Sequence, residues 1–128
     1  MKKLLLLSIS LLALSFLPNT FAHDLKGALA SEDRTPKNVT RDVYRHPYET
    51  LEFFGIKQDM TVIELSPGGG WYTEILANYI HYPGTLIAAH FNPDAGGYYK
   101  RGRANFEKKM NSNPMYGRVE IVNIDSTL

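Results

Sequence analysis

Cysteine is absent from this 128-residue chain. Without thiols the chain has no disulfide bond, no lipid-modified N-terminal cysteine and no thiolate ligand for a metal ion. Net charge is also low, because 14 Lys and Arg against 13 Asp and Glu give a formal value of +1. The sequence therefore does not predict the one-signed field that attracts nucleic acid or an anionic membrane. We expect ordinary packing of one small domain to supply the stability.

Long apolar runs are limited to the N-terminal segment. Lys2 and Lys3 precede an apolar run over residues 4–17, and Thr20-Phe21-Ala22 follows it as a small-x-small cleavage site. The run is shorter than the roughly 18 residues that a membrane-spanning helix needs. Residues 1–22 are therefore predicted to be a signal peptide. We expect an exported bacterial protein, periplasmic or secreted, with no stable membrane span after cleavage.

The rest of the chain divides into two parts. Residues 23–40 are polar and aperiodic, which predicts a linker or a loosely docked arm. Residues 41–128 alternate between helical and strand periodicities. Helices are expected over 47–54, 71–81 and 98–110, and strands over 60–65, 85–90 and 118–125.

This order predicts the fold class. It is α/β, the N-terminal half of a doubly wound (Rossmann-like) parallel sheet with three strands and crossover helices. The almost continuous apolar run 85–90 is typical of a strand buried on both faces. Because most such domains need about twice this sheet to cover their cores, we expect the coding region to continue past Leu128.

Histidines and basic residues give weaker signals. No two of the four histidines have the spacing of a helical metal site, so no metal is predicted. Five basic residues fall on the helix expected over 98–110. Their side chains could form a phosphate-binding patch or a solvated face of the helix. The solvated face is favoured. These residues are Lys100, Arg101, Arg103, Lys108 and Lys109.

The most informative stretch is MTVIELSPGGGW, residues 60–71. A β-branched apolar run ends near Glu64 and gives way to Ser66, Pro67 and three glycines, which predicts a strand, a tight turn and a helix. Glycine accepts positive φ and lets backbone approach a ligand, and a helix N-terminus offers unpaired N–H groups. The turn is therefore predicted to hold a nucleotide-like cofactor.

The identity of that cofactor is narrowed by neighbouring residues. A dinucleotide fingerprint has a third glycine where this chain has Thr73, which weakens the nicotinamide interpretation without excluding it. A P-loop is excluded because no Gly-Lys-Ser/Thr follows the turn. Glu64 followed by S-P-G-G-G resembles instead the first motif of class I S-adenosylmethionine-dependent methyltransferases. The segment RDVYRHPYETLEFFG, residues 41–55, resembles a subgroup of predicted methyltransferases that carry export signals, and the resemblance covers about residues 41–125.

The resemblance implies S-adenosyl-L-methionine as the cofactor and a role for each matching residue. Gly68 and Gly70 would lie against its methionine part, and Glu64 would anchor its cationic amino group. Ser66 and Gly69 belong to the same turn.

The ribose contact follows less directly from the resemblance. Such enzymes place an acidic residue at the end of the second strand to accept the ribose hydroxyls. His90 stands there in this chain, with Asn92 or Asp94 as substitutes. Asp125, after the third strand, would lie near the adenine.

Methyl transfer needs few protein groups, because the sulfonium is already activated and the enzyme mainly orients the acceptor. Acceptor-side groups in this family normally come from the fourth strand onward. No catalytic residue is therefore predicted, the methyl acceptor is unknown, and activity of the 128-residue chain is left open. Two alternatives stay open: a non-catalytic cofactor-binding or interaction module, and the nucleotide-binding half of a nicotinamide-dependent oxidoreductase.

Overall fold

A computed structural model describes residues 24–124. The predicted signal peptide, residues 1–22, and Asp125 lie outside this range. The described chain forms a parallel sheet with strand order β1-β2-β3. The strands are β1 (Thr61–Leu65), β2 (Thr85–Phe91) and β3 (Glu120–Ile124). This arrangement confirms the predicted α/β fold with three parallel strands and flanking helices.

Helices connect the strands and precede the sheet. Two long crossover elements are α5 (Trp71–Tyr79), between β1 and β2, and α6 (Gly97–Met110), between β2 and β3. A 3₁₀ turn, Pro114–Tyr116, follows α6. Four shorter helices come before β1: α1 (Leu25–Leu29), α2 (Pro36–Val39), α3 (Asp42–Arg45) and α4 (Pro47–Phe53). None of the helices within residues 24–124 is long and apolar enough to cross a membrane.

The core lies between the sheet and the two crossover helices. β2 is the central strand, and Ala88 on it is fully buried, as are Ile75 of α5 and Phe106 of α6. The predicted burial of β2 on both faces is seen in part: Leu86, Ala88 and His90 on one face are buried, whereas Thr85, Ile87 and Phe91 on the other face are partly exposed within residues 24–124. β1 has a strand partner on one side within the described range, and its Ile63 and Leu65 are 58% and 74% exposed.

Residues 24–40 form helices where the sequence predicts a linker or a loosely docked arm. Ser31 Oγ donates to Asn78 Oδ1 of α5 at 2.9 Å. Asn113 Nδ2 donates to Asp33 Oδ1 at 2.8 Å, and the Tyr116 hydroxyl donates to the Asp33 carbonyl. Polar side chains make these contacts with distant parts of the chain, so hydrophobic periodicity did not reveal them.

A buried cation joins this segment to the start of α5. The Arg34 guanidinium, whose side chain has no solvent exposure, makes a bidentate pair with Asp42 at 2.6 and 2.8 Å. The Trp71 indole N–H donates to the Asn38 carbonyl at 2.9 Å and to Asp42 Oδ1 at 3.1 Å. The Arg45 guanidinium lies 4.4 Å from the centre of the Trp71 ring. These contacts fix the first residue of α5, directly after the glycine turn.

Candidate functional site

The turn between β1 and α5 has the geometry that its glycines predict. Ser66, Gly68 and Gly70 have φ values of +53°, +58° and +81°. Ser66 N donates to the Ala89 carbonyl at 2.9 Å, which extends the pairing of β1 with β2 into the turn. Gly70 is the N-cap of α5. Three left-handed residues within five positions place the turn backbone where a bulky ligand can approach it closely.

Gly70 is the most constrained glycine of the turn. An added Cβ would lie 3.2 Å from Phe106 Cε2, and φ of +81° is unfavourable for any residue with a side chain. We therefore expect Gly70→Ala to lower the free energy of unfolding by about 1–3 kcal/mol. Gly69→Ala is the matched control, because a Cβ added at Gly69 would meet no atom within 4 Å and Gly69 has no positive φ. Urea unfolding of both variants checks this, and equal losses would contradict it.

Glu64 is held from α5. Its Oε2 accepts a hydrogen bond of 2.6 Å from the hydroxyl of Thr73, which is fully buried in the first turns of that helix. Burial raises the pKa of the Glu64 carboxyl to about 6, against the opposing effect of the Thr73 hydrogen bonds. The site therefore keeps a carboxylate in a place that disfavours its charge, and a cationic ligand would relieve that cost. In the sequence, Thr73 served only as an argument against a dinucleotide-binding fingerprint. In the structure, Thr73 is the residue that orients the Glu64 side chain.

The buried His90 side chain is hydrogen-bonded to the backbone of the glycine turn. It has no solvent exposure, and its Nδ1 accepts from Phe91 N–H at 2.7 Å. The ring proton therefore lies on Nε2, which donates to the Gly68 carbonyl at 3.1 Å. Burial lowers the pKa of the imidazole, which keeps it neutral. Both ring nitrogens are engaged, so His90 holds Gly68 in place, and the structure offers no free ring nitrogen to ribose hydroxyls.

A groove of about 560 Å³ lies at the carboxyl ends of the strands. We call it the strand-end groove; its lining residues are Ser66, Phe91, Asn92, Asp94, Ala95, Tyr99 and Ile124. It brings together three residues predicted for the cofactor, Ser66, Asn92 and Asp94. Asn92 Oδ1 accepts from Asp94 N–H at 2.8 Å, which fixes the loop between them. Open α/β sheets bind ligands in this kind of crevice.

Gly68, Gly69 and His90 line a second groove, of about 530 Å³, between the turn and α6. We call it the α6 groove. Six of the eight residues predicted for the cofactor are therefore divided between two grooves that share Phe91 in their linings, and Glu64 and Gly70 line neither groove.

A buried ion pair holds the turn from the α6 side. Lys109 Nζ donates to the Gly69 carbonyl at 2.9 Å and pairs with Glu74, a fully buried residue of α5. Thr35 donates to the same carboxylate through its N–H at 3.1 Å and its hydroxyl at 2.5 Å. Sequence reasoning missed Lys109 and Glu74. The sequence did contain one signal for this ion pair, because Glu74 is a carboxylate within the otherwise apolar stretch that forms α5.

The described residues, 24–124, contain no group of three or more His, Asp and Glu side chains that would hold a metal ion.

Comparison with known proteins finds similarity to a solved structure. No family model matches the chain, and no curated protein matches its sequence. A solved structure of a cyclopropane-fatty-acyl-phospholipid synthase-like protein from Lactobacillus casei ATCC 334 is similar in backbone, with a TM-score of 0.47 and 17% sequence identity. The match covers 77% of this chain and 37% of that protein's chain.

Proposed function

We propose that this chain carries the S-adenosylmethionine-binding half of a class I methyltransferase with an unknown acceptor. The observation that carries the proposal is Glu64, a desolvated carboxylate at the end of β1 beside a glycine turn with left-handed backbone. The amino group of the cofactor is cationic and would pair with this carboxylate. Thr73, which stands where a dinucleotide fingerprint has glycine, serves this arrangement by donating to Glu64 at 2.6 Å.

The strand-end groove suits the adenosine part of such a cofactor. Its volume of about 560 Å³ lies in the usual range for small-molecule sites. Asn92 and Asp94 supply acceptors for the ribose hydroxyls at the end of β2. Phe91 and Tyr99, with ring centroids 4.8 Å apart, provide an aromatic wall.

Bound S-adenosylmethionine would supply an activated methyl group on a sulfonium. The described residues then bind and orient: Glu64 fixes the amino group, the glycine turn admits the methionine part, and Asp94 fixes the ribose. We assign no catalytic residue within the described chain.

Titration calorimetry with S-adenosylmethionine, S-adenosylhomocysteine and NADH tests the proposal. We expect saturable binding of the first two, and no displacement of either by NADH. Displacement by NADH would favour the nicotinamide-dependent alternative, and failure of all three to bind would overturn cofactor binding. A second experiment incubates the protein with labelled cofactor and with cell extract as the source of acceptors. Methyl transfer to a component of the extract indicates an enzyme, and its absence favours a non-catalytic module.

We also propose that the protein is exported to the bacterial periplasm or medium as a member of the signal-bearing methyltransferase subgroup. The support is the sequence of residues 1–22, with its basic start, apolar run and small-x-small end. N-terminal sequencing of the exported protein should begin at His23. Recovery of an uncleaved chain from the cytoplasm would contradict export.

A further inference from the structure

The α6 groove differs in charge from the strand-end groove. The strand-end groove has one charged side chain in its lining, the carboxylate of Asp94. The α6 groove is lined by two cationic residues, Arg101 and Lys109, and none of its lining residues, all within the described range, is Asp or Glu. The two grooves that meet at Phe91 therefore attract ligands of opposite charge.

The polar groups of the α6 groove follow the helical repeat. Arg101, Asn105 and Lys109 are spaced by four, so they form one stripe along α6. Lys109 is committed to Glu74 and the Gly69 carbonyl. Within residues 24–124 the Arg101 guanidinium and the Asn105 amide have no hydrogen-bond or ion-pair partner. One helical turn apart, these two groups can donate to the same anion.

Gly102 is one of the residues that line the α6 groove. Glycine inside a helix costs about 1 kcal/mol relative to alanine. Packing does not require it here, because an added Cβ would make only ordinary contacts, 3.9 Å from Phe91 Cδ2 and 4.0 Å from His90 Cε1. Gly102 therefore adds no side chain to the groove. Phe91, Tyr98 and Phe106 also line the groove, and we call these aromatic residues together with Gly102 its apolar floor. An apolar floor next to two unpartnered donors is suited to a ligand with an organic part and an anionic part.

We propose that the α6 groove binds an organic phosphate, with the phosphate on Arg101 and Asn105 and the organic part over Gly102. Arginine presents a planar fork of N–H donors that matches phosphate oxygens, and the Asn105 amide adds a donor from the next turn. This site separates Arg101 from the other basic residues of α6, which the sequence analysis interpreted together as a solvated face.

The proposal does not depend on methyltransferase activity, because Arg101, Gly102 and Asn105 have no role in the proposed cofactor site, although Gly68 and Gly69 of the glycine turn also line this groove. Its test uses the purified protein without S-adenosylmethionine. The probes are inorganic phosphate, phenyl phosphate, and vesicles of phosphatidylcholine with and without phosphatidylglycerol. Calorimetry measures affinity for the soluble probes, and co-sedimentation measures binding to the vesicles.

We expect phenyl phosphate to bind saturably and more tightly than inorganic phosphate. Arg101→Gln should weaken this binding by at least about tenfold, and Gly102→Phe, which fills the floor, should abolish it. Gly102→Ala is the matched control and should retain binding, because its Cβ fits. Arg101 is exposed, so its variant should keep the thermal unfolding midpoint of the parent and remains informative where Gly102→Phe does not fold.

The same variants distinguish the source of the phosphate. Saturable binding of phenyl phosphate that Arg101→Gln weakens identifies a soluble organic phosphate. Binding confined to vesicles that contain phosphatidylglycerol, and weakened by both Arg101→Gln and Gly102→Phe, identifies a lipid headgroup. The proposal would be overturned if none of the probes bound saturably. It would also be overturned if neither Arg101→Gln nor Gly102→Phe changed the binding that is observed.

Discussion

Glu64→Gln is expected to stabilise the fold while it weakens cofactor binding. Burial raises the pKa of the Glu64 carboxyl from 4.5 to about 6, so ionised Glu64 costs the folded state about 2 kcal/mol. The neutral amide avoids this cost and still accepts the Thr73 hydroxyl. At pH 8 we expect a gain in unfolding free energy of up to about 2 kcal/mol. Loss of the charge-assisted pair with the amino group should weaken S-adenosylmethionine by about 10–100-fold.

The sign of the pH dependence follows from the raised pKa. The folded state binds the Glu64 proton more readily than the unfolded chain, so the cost is fully present above about pH 6 and disappears as the pH falls through about 4.5. The stability advantage of Glu64→Gln should therefore shrink over that window. Cofactor affinity of the parent protein should fall as the pH drops below about 6, while that of the variant should not.

Urea unfolding and calorimetry at several pH values measure both effects. Glu32→Gln is the control, since Glu32 is exposed and its replacement should change neither quantity. A variant at position 64 with unchanged stability and unchanged affinity would contradict the role assigned to this carboxylate.

Lys109→Met is expected to be the most destabilising single change in the site. It leaves the fully buried Glu74 carboxylate without its cation and the Gly69 carbonyl without its donor. Removing one partner of a buried ion pair typically costs about 3–5 kcal/mol. Lys108→Met is the matched control, because Lys108 is exposed on the same helix, and its replacement should change the unfolding free energy by less than about 0.5 kcal/mol.

A double-mutant cycle separates the ion pair from general loss of packing. Glu74→Gln should cost less than Lys109→Met, because the Lys109 side chain is 22% exposed and its ammonium can turn towards water. The double variant should be more stable than the sum of the single losses predicts, by at least about 1 kcal/mol. Strict additivity in urea unfolding would show that the two charges do not interact.

The sheet and its crossover helices were predictable because local chemistry specifies them. Pro47 and Gly55 bound the predicted helix, and the structure has α4 over Pro47–Phe53 with Gly55 at φ +66° just beyond it. The apolar run of β2 similarly predicted a strand, although burial on both faces, which the run also indicated, is complete on only one face within residues 24–124. These signals come from neighbouring residues and need no knowledge of the fold.

The hydrogen bonds and ion pairs that hold the site residues in place were not predictable, because they join residues far apart in sequence. Lys109 lies 40 positions from Gly69, and Thr35 lies 39 positions from Glu74. No periodicity links such pairs. His90 was expected at the ribose because it closes the predicted strand; β2 continues to Phe91, which leaves His90 buried under Gly68. Polar partners across long separations have no local pattern, so the described helices of residues 24–40 were also missed.

Trp71 is the one tryptophan of the chain, so its fluorescence is an intrinsic probe of the structure around it. Its indole follows Gly70 directly, donates to the Asn38 carbonyl and lies under the Arg45 guanidinium. Intrinsic fluorescence excited selectively at tryptophan therefore comes from one ring, which contacts the N-terminal helices and belongs to the residue that follows the glycine turn. Release of those helices would expose the ring to water and shift its emission to longer wavelength. A change confined to the turn would alter its intensity, without any attached dye.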